Sequence, residues 1–127
     1  MQGESNRIRI LLVDDHKIVR EGLASILSEQ PDLEVIGQAG NGREAVNMTC
    51  SLHPDVVIMD VSMPLMSGDE ATRQIKTLLP DTRIVALSMF EDDEMIRKMH
   101  QSGADSYVLK TAPSAKLVAA IHGNNSQ

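Results

Sequence analysis

Apolar residues along this chain form short, nearly unbroken runs, and these are separated by longer segments in which apolar residues recur every three or four positions. A short run with no polar break is typical of a strand covered on both faces of a sheet. The run 33–39 alternates more, as expected of a strand near a sheet edge. The predicted strands are 8–13, 33–39, 56–59, 83–87 and 107–109.

The segments between these runs have the one-sided pattern of amphipathic helices. The predicted helices are 17–30, 41–52, 69–79, 91–103 and 113–121. The predicted inner face of the first helix consists of Ile18, Val19, Leu23, Ile26 and Leu27. That of the third helix consists of Ala71, Ile75, Leu78 and Leu79.

Strand and helix patterns alternate through the whole chain as five strand–helix units. Such units predict an α/β fold with a doubly wound, mostly parallel sheet, helices on both faces and right-handed crossovers. In these sheets, ligands bind beyond the carboxyl ends of the strands, where the strand order reverses. The polar residues predicted at this edge are Asp14, Asp15, Asp60, Ser88 and Lys110.

This set of side chains suits phosphoryl chemistry with a metal ion. Three carboxylates that lie close together repel one another unless a cation lies among them. Oxygen ligands without histidine or cysteine select a hard ion, and Mg²⁺ is the usual one where a phosphate completes the coordination. A carboxylate such as Asp60 can then attack a phosphoryl group, while Lys110 and the hydroxyl of Ser88 bind its oxygens.

Composition narrows the classes of function. The 127 residues allow one domain and no second one, and we expect a core at 7–122 followed by a linker-like tail at 123–127. A formal charge of -6 with scattered basic residues argues against direct binding of nucleic acid. The four histidines lack metal-ligand spacing and are interpreted as surface or helix-end residues. We find no apolar segment of membrane-spanning length and no signal peptide, so we expect a cytoplasmic protein without membrane contact.

Four segments, LLVDDH, VVIMDVSMPLMSG, VALS and GADSYVLK, closely resemble the receiver domain of two-component response regulators. They stand in the order and at the intervals of that family, and the resemblance extends from about Ile8 to Ile121. It implies a flavodoxin-like sheet of strand order 2-1-3-4-5. The segments SMFEDDE and SYVLKTA are most similar to receivers joined to a LuxR-type helix-turn-helix DNA-binding domain, and no such domain is in this chain.

The resemblance also implies roles for the acidic residues. Asp60 would accept a phosphoryl group from a sensor histidine kinase and would contribute to a Mg²⁺ site. Asp15 would bind Mg²⁺ directly, with Asp14 nearby or bound to the ion through water. The backbone carbonyl of Ser62 would be a further metal ligand.

Three other residues match the family's remaining functional positions. Lys110 would bind the phosphoryl group, Ser88 would be the switch hydroxyl, and Tyr107 would be the switch aromatic residue. Phosphorylation would then control an output, expected to be transcription through a DNA-binding domain outside this chain, and a homodimer of phosphorylated chains is also expected. One departure from the family is that Thr111, where many receivers have proline, follows the lysine.

Three alternatives to this interpretation stay open. A receiver could stand alone without a DNA-binding domain, or it could be a pseudo-receiver that binds partners without phosphorylation. A phosphohydrolase could also use an aspartyl-phosphate, but it usually has an acid two residues after the nucleophile, where this chain has Ser62. We therefore expect a signalling domain, not an enzyme, with at most slow autodephosphorylation.

Overall fold

The computed structural model describes residues 7–63 and 66–123. Its strands are β1 (Ile8–Val13), β2 (Leu33–Ala39), β3 (Val56–Asp60), β4 (Arg83–Ser88) and β5 (Ser106–Leu109). Its helices are α1 (Lys17–Ser28), α2 (Gly42–Leu52), α3 (Gly68–Leu78), α4 (Asp93–Ser102) and α5 (Ser114–Ile121). Every predicted strand and helix is confirmed, with ends shifted by no more than two residues. The predicted tail beyond Gly123 lies outside the described residues.

The strands form one parallel sheet in the order β2-β1-β3-β4-β5. This is the predicted flavodoxin-like order, with β2 at an edge as its alternating pattern indicated. The order reverses between β1 and β3, which are neighbours although β2 lies between them in the chain. The predicted location for a ligand is therefore the carboxyl ends of β1 and β3.

The sheet separates two apolar cores, and helices cover both of its faces. One core contains Leu27 of α1 and Leu117 of α5. The other contains Val46 of α2, Ile75 of α3 and Met99 of α4. Successive side chains of a strand point to opposite faces, so each central strand contributes apolar residues to both cores.

The predicted inner face of α1 is wrong in part. Leu27 is buried, but three of the residues predicted on the inner face are exposed, which are Ile18 at 83%, Ile26 at 41% and Val19 at 36%. Helical residues are about 100° apart around the axis, so Ile18 lies on the side of the helix opposite Leu27. Arg20 lies almost in line with Leu27, and its guanidinium donates to the Asp14 carbonyl at the carboxyl end of the sheet. The positions of apolar residues in the sequence alone did not indicate which side of the helix packs against the sheet.

The predicted inner face of α3 is also wrong at one residue. Ala71 and Ile75 are buried, whereas Leu78 is 56% exposed. Leu78 is the last residue of the helix, and Ile75 is its last buried residue. The apolar pattern therefore continues beyond the part of α3 that packs on the core.

The described helices are short. The longest, α1, has 12 residues. A bilayer span needs about 20 apolar residues. In the ranges 7–63 and 66–123, no helix is long and apolar enough to cross a membrane.

Strand register brings the predicted site residues together. Val13 of β1 is paired with Met59 of β3, so the next residues, Asp14 and Asp60, are neighbours at the carboxyl edge. The backbone N–H of Lys110 donates to the carbonyl of Ser88 at 2.6 Å, which extends the pairing of β4 with β5 by one residue.

Candidate functional site

Two buried carboxylates share one lysine at the carboxyl edge of the sheet. Asp14 is 1% exposed and Asp60 is 3% exposed. The ammonium Nζ of Lys110 lies 2.8 Å from Asp14 Oδ2 and 3.4 Å from Asp60 Oδ1. The lysine is therefore bonded more closely to Asp14 than to Asp60, although the family resemblance assigns it to the phosphoryl group on Asp60.

The two carboxylates differ in their electrostatics. Burial raises the pKa of Asp60, the neighbouring charge of Asp14 raises it further, and Lys110 only partly offsets these effects. Burial also acts to raise the pKa of Asp14, but hydrogen bonds from Lys110 and from the His16 backbone outweigh it and leave that pKa below its usual value. Burial acts to lower the pKa of Lys110, but its bonds to the two acids outweigh this and raise it. Asp60 is thus the acid whose negative charge is least compensated.

The cluster fits a divalent cation. Asp14, Asp15, His16 and Asp60 each offer one ligand atom, and these atoms all lie within 4.8 Å of one another. Hard cations prefer carboxylate oxygens, and the uncompensated charge on Asp60 is what a cation would neutralise. Ser62 lies at the same edge, where its backbone N–H donates to Asp60 Oδ1 at 3.4 Å. The role of its carbonyl as a metal ligand stays a prediction.

The two predicted switch residues share one hydrogen-bond acceptor. Ser88 Oγ donates to the carbonyl of Phe90 at 3.2 Å and accepts from the Phe90 backbone N–H at 3.2 Å. The hydroxyl of Tyr107 donates to the same Phe90 carbonyl, also at 3.2 Å. Ser88 and Tyr107 are therefore connected through one peptide group of the β4–α4 loop.

A cavity of about 320 Å³ opens above Asp60. The polar side chains that line it are those of His16, Asp60, Ser62, Ser88, Asp92 and Lys110. Phe90 also lines the cavity while being 73% exposed. The structure thus brings together four of the predicted site residues around one space large enough for a phosphoryl group.

Close packing holds the Asp60 end of β3 in place. Gly68 begins α3, and a Cβ atom on this residue would collide with the carbonyl oxygen of Asp60. The Gly68 N–H donates to the carbonyl of Val61 at 3.3 Å. Glycine is required here because the helix start passes directly over the strand end.

Sequence reasoning missed two residues that contact the acidic cluster. The Arg20 guanidinium donates from Nη1 to the Asp14 carbonyl at 2.7 Å and from Nε to Gln38 Oε1 at 3.2 Å. The ring Nδ1 of His16 lies 3.2 Å from Asp14 Oδ1 and 3.1 Å from Asp15 Oδ1. Their positions in the sequence could have indicated these contacts, because His16 directly follows the acid pair and Arg20 lies one helical turn after His16.

The five-stranded parallel sheet and the cluster of acids at its carboxyl edge define this protein as a receiver domain. The family model described as response regulator receiver domain matches residues 10–122. The chain therefore belongs to this family, as its motifs predicted. Receiver domains of response regulators are signalling domains.

The relatives are response regulators and a transcriptional regulatory protein. Transcriptional regulatory protein LiaR of Bacillus subtilis (strain 168) is 48% identical over 114 residues, which are 90% of this chain and 54% of LiaR. Response regulator protein VraR of Staphylococcus aureus (strain COL) is 41% identical, with the same coverage of both chains. A crystal structure of a LuxR-family two-component response regulator from Aurantimonas sp. SI85-9A1 is 34% identical with a TM-score of 0.88, over 95% of this chain and 89% of that chain. The chain spans about half the length of the curated relatives it matches.

Proposed function

We propose that this receiver domain accepts a phosphoryl group on Asp60 and transmits its presence as a signal. The observation that carries the proposal is the position of Asp60, a buried carboxylate at the end of β3 facing the cavity. Its nearest partners, Ser62 N–H and Lys110 Nζ, are both 3.4 Å away. Asp14 is held more tightly, with Lys110 Nζ and the His16 backbone N–H each at 2.8 Å. Of the two buried acids, Asp60 has the oxygens that are freer to attack phosphorus.

The proposed donor is the phosphohistidine of a sensor histidine kinase. An oxygen of Asp60 forms a bond to phosphorus as the bond from phosphorus to the imidazole nitrogen breaks, and the leaving imidazole takes up a proton. Lys110 neutralises the phosphoryl oxygens, and the hydroxyl of Ser88 donates to one of them. Such catalysis consists of positioning and charge neutralisation.

The proposed Mg²⁺ site uses Asp15, Asp60 and the Ser62 carbonyl, with Asp14 close by. When bound, the ion supplies charge neutralisation for the carboxylates and the phosphoryl oxygens. Asp14 serves mainly to hold Lys110, given the 2.8 Å contact between them. Arg20 fixes the backbone that carries both Asp14 and Asp15, because it binds the carbonyl between them.

The proposed switch runs through Phe90. If Ser88 Oγ turns toward the phosphoryl group, the Phe90 carbonyl loses one of its two hydroxyl donors, and the bond from Tyr107 becomes its main support. Two discrete hydrogen-bond arrangements of the loop would then report the phosphorylation state. Ser88→Ala should leave Asp60 phosphorylatable, but phosphorylation should no longer shift the amide resonances around Tyr107 as it does in the unsubstituted protein.

The proposed output is transcription. LiaR is by name a transcriptional regulator, and the Aurantimonas protein is of the LuxR family. In this proposal a DNA-binding domain outside these 127 residues contacts DNA, and phosphorylated chains form a homodimer. The scattered charge and net value of -6 of this chain support a role that excludes direct DNA contact.

The test is incubation with Mg²⁺ and a small phosphodonor such as acetyl phosphate, followed by intact mass measurement. We expect one phosphoryl group per chain, decaying slowly, because Ser62 cannot act as a general base toward the attacking water. Rapid turnover of the donor without accumulated label would instead indicate a phosphohydrolase. If no label appears even when Mg²⁺ and the phosphodonor are both in excess, the protein is a pseudo-receiver and the proposal is overturned.

A further inference from the structure

One acid, Asp92, is part of both the phosphoryl cavity and the start of a helix. Its side chain lines the cavity above Asp60, as does that of Lys110. Its carboxylate also caps α4, because Oδ1 accepts the backbone N–H of Glu94 at 3.0 Å and that of Met95 at 3.2 Å. These bonds satisfy two of the backbone donors that the first turn of a helix leaves without partners. A carboxylate at the phosphoryl cavity therefore also stabilises the first turn of α4.

We propose that Asp92 responds to the charge of the phosphoryl group, and that phosphorylation of Asp60 loosens the first turn of α4. The proposal rests on the proposed function, in which Asp60 accepts the phosphoryl group, and adds a second route by which this event is transmitted. The phosphoryl oxygens enter a cavity that the Asp92 carboxylate already lines. Like charges repel, so the carboxylate turns away from the phosphoryl group and its bonds to the α4 backbone weaken.

The size of the cavity makes this repulsion effective. A sphere of its volume, about 320 Å³, is about 8.5 Å across, which is comparable to the Debye length of about 8 Å at physiological ionic strength. Salt therefore screens charges on opposite walls of the cavity only in part. An aspartyl phosphate carries more negative charge than the carboxylate it replaces, so phosphorylation increases the repulsion.

The first turn of α4 can transmit the change to the surrounding structure. The Asp92 carbonyl accepts the Ile96 N–H at 2.9 Å, which is the first backbone bond of the helix. Met95 lines the same cavity and packs against the apolar core on that face of the sheet. Phe90, which precedes the turn, is 73% exposed. Loosening of this turn therefore changes both the packing of Met95 and the protein surface next to Phe90.

This route depends on charge, whereas the switch through Ser88 depends on a hydroxyl group. Asp92→Asn removes the charge and keeps the cap, because asparagine has nearly the same shape and is an equally favoured residue before a helix. The matched control is Asp93→Asn, which removes a negative charge from the next residue of the same turn. Asp93 is not among the described residues that line the cavity.

The experiment compares the unsubstituted protein, Asp92→Asn and Asp93→Asn, each in Mg²⁺ with and without excess acetyl phosphate. Intact mass measurement establishes phosphoryl labelling in each sample. Amide proton shifts of Glu94 and Met95 report the cap, since a hydrogen-bonded amide proton resonates downfield of a free one. Hydrogen exchange of the Ile96 amide reports the stability of the turn.

In the unsubstituted protein, we expect labelling to move the amide protons of Glu94 and Met95 upfield. Labelling should also speed exchange of the Ile96 amide by about fivefold. Asp93→Asn should respond in the same way. In Asp92→Asn, labelling should leave the two shifts and the exchange rate unchanged.

Ser88→Ala separates the two routes. Its response around Tyr107 should be lost, and its response in the first turn of α4 should remain. Loss of the α4 response in labelled Ser88→Ala would show that the hydroxyl alone moves the helix, and would overturn the proposal. The proposal also fails if labelled Asp92→Asn responds like the unsubstituted protein. It fails equally if Asp93→Asn loses the response, because any charge in the turn would then suffice.

Phosphoryl labelling distinguishes failure of this proposal from failure of the proposed function. If the unsubstituted protein is labelled and the first turn of α4 does not respond, this proposal alone is overturned. If Asp92→Asn is not labelled, Asp92 takes part in the transfer itself, and its role as a charge sensor is overturned. If the unsubstituted protein is not labelled, both the proposal and the proposed function are overturned.

Discussion

The two ends of the parallel sheet contain the same kinds of charged residue but use them differently. At the amino end, aspartate and arginine side chains bind backbone groups of neighbouring strands and helices. At the carboxyl end, two buried acids share one lysine, and one of these acids, Asp60, lines a cavity together with the lysine. The two ends differ in the groups that their charged side chains contact. They do not differ in the types of charged residue that they contain.

At the amino end, charges are used to join segments of the fold. Asp55 Oδ2 accepts the backbone N–H of Arg9 at 2.9 Å, and the Arg9 guanidinium binds the carbonyls of His53 and Leu52 at 2.7 and 2.8 Å. The end of α2 and the starts of β1 and β3 are thereby held together. A buried or half-buried backbone group that finds such a partner avoids a desolvation cost of about 1–3 kcal/mol.

Charged side chains also join segments of the fold at the amino ends of β4 and β5. Arg83 donates to the Ala120 carbonyl at 2.9 Å and to Ser106 Oγ at 3.0 Å, which connects β4, β5 and α5. Asp105 accepts the Ile84 backbone N–H at 2.8 Å and pairs with Lys76 at 2.9 Å. These charges stabilise the fold, whereas Asp60 at the other end has its partners at 3.4 Å and a raised pKa caused by burial and by Asp14.

The largest expected effect is that of Asp60→Asn. The substitution keeps the shape of the side chain and removes the nucleophile, so phosphoryl labelling should be lost completely. It also removes a buried negative charge next to Asp14, so without divalent ions the free energy of unfolding should rise. Intact mass and thermal unfolding measure the two effects. Label that survives, or a protein that is less stable, would contradict the contrast between the two ends.

Lys110→Met should have the largest effect on stability. Asp14 and Asp60 would remain buried without the cationic partner they share, and we expect the free energy of unfolding to fall by about 3 kcal/mol. Denaturant titration measures this change. The control is the double variant Lys110→Met with Asp14→Asn, in which Asp60 is the one buried charge left of the pair and most of the stability should return. No recovery would mean that Lys110 stabilises the fold through packing instead.

Asp55→Asn tests the amino end with the same type of substitution as Asp60→Asn. Its carboxylate binds the Arg9 backbone N–H, and the amide of asparagine can replace this bond only in part. We expect the free energy of unfolding to fall by about 1 kcal/mol while phosphoryl labelling stays complete. Reduced labelling in this variant would show that the two ends are not independent.

The smallest expected effect depends on pH and concerns Asp32. The hydrogen bond from His122 lowers the pKa of Asp32 below its ordinary 3.8. A carboxyl whose pKa is lowered by folding adds stability above its unfolded pKa, and this is lost as the pH falls through the folded value. Asp32→Asn should therefore lower Tm slightly at neutral pH, and the difference should vanish in acid below 3.8. A constant difference at all pH values would exclude an electrostatic origin.

The fold was predictable because each buried strand is a short apolar run that ends on a polar residue. The register that makes Asp14 and Asp60 neighbours follows from the switch in strand order between β1 and β3, and the family resemblance supplied this order. The exposure of Ile18 was not predictable, because periodicity shows that residues share a face and does not show which face a neighbour covers.

The site was predictable for side chains that extend directly from strand ends and not for those that reach it from a helix. Arg20 contacts Asp14 only because α1 is rotated so that its inner face includes a charged residue. No other histidine or cysteine lies at metal-ligand spacing from His16 in the sequence. Its ring reaches Asp14 and Asp15 because the chain turns at residue 16 to begin α1. Such contacts depend on the rotation and start of one helix, which the apolar pattern does not determine.

The most direct test of the central claim is to map the phosphoryl group. The protein is labelled with acetyl phosphate and Mg²⁺, the acyl phosphate is reduced with borohydride to a stable homoserine, and the digested peptides are sequenced by mass spectrometry. We predict homoserine at residue 60 alone, with every aspartate at the amino end unmodified. Homoserine at Asp14 or Asp15 in place of Asp60, or at Asp55, would contradict the assignment of Asp60 as the reactive acid of this receiver domain.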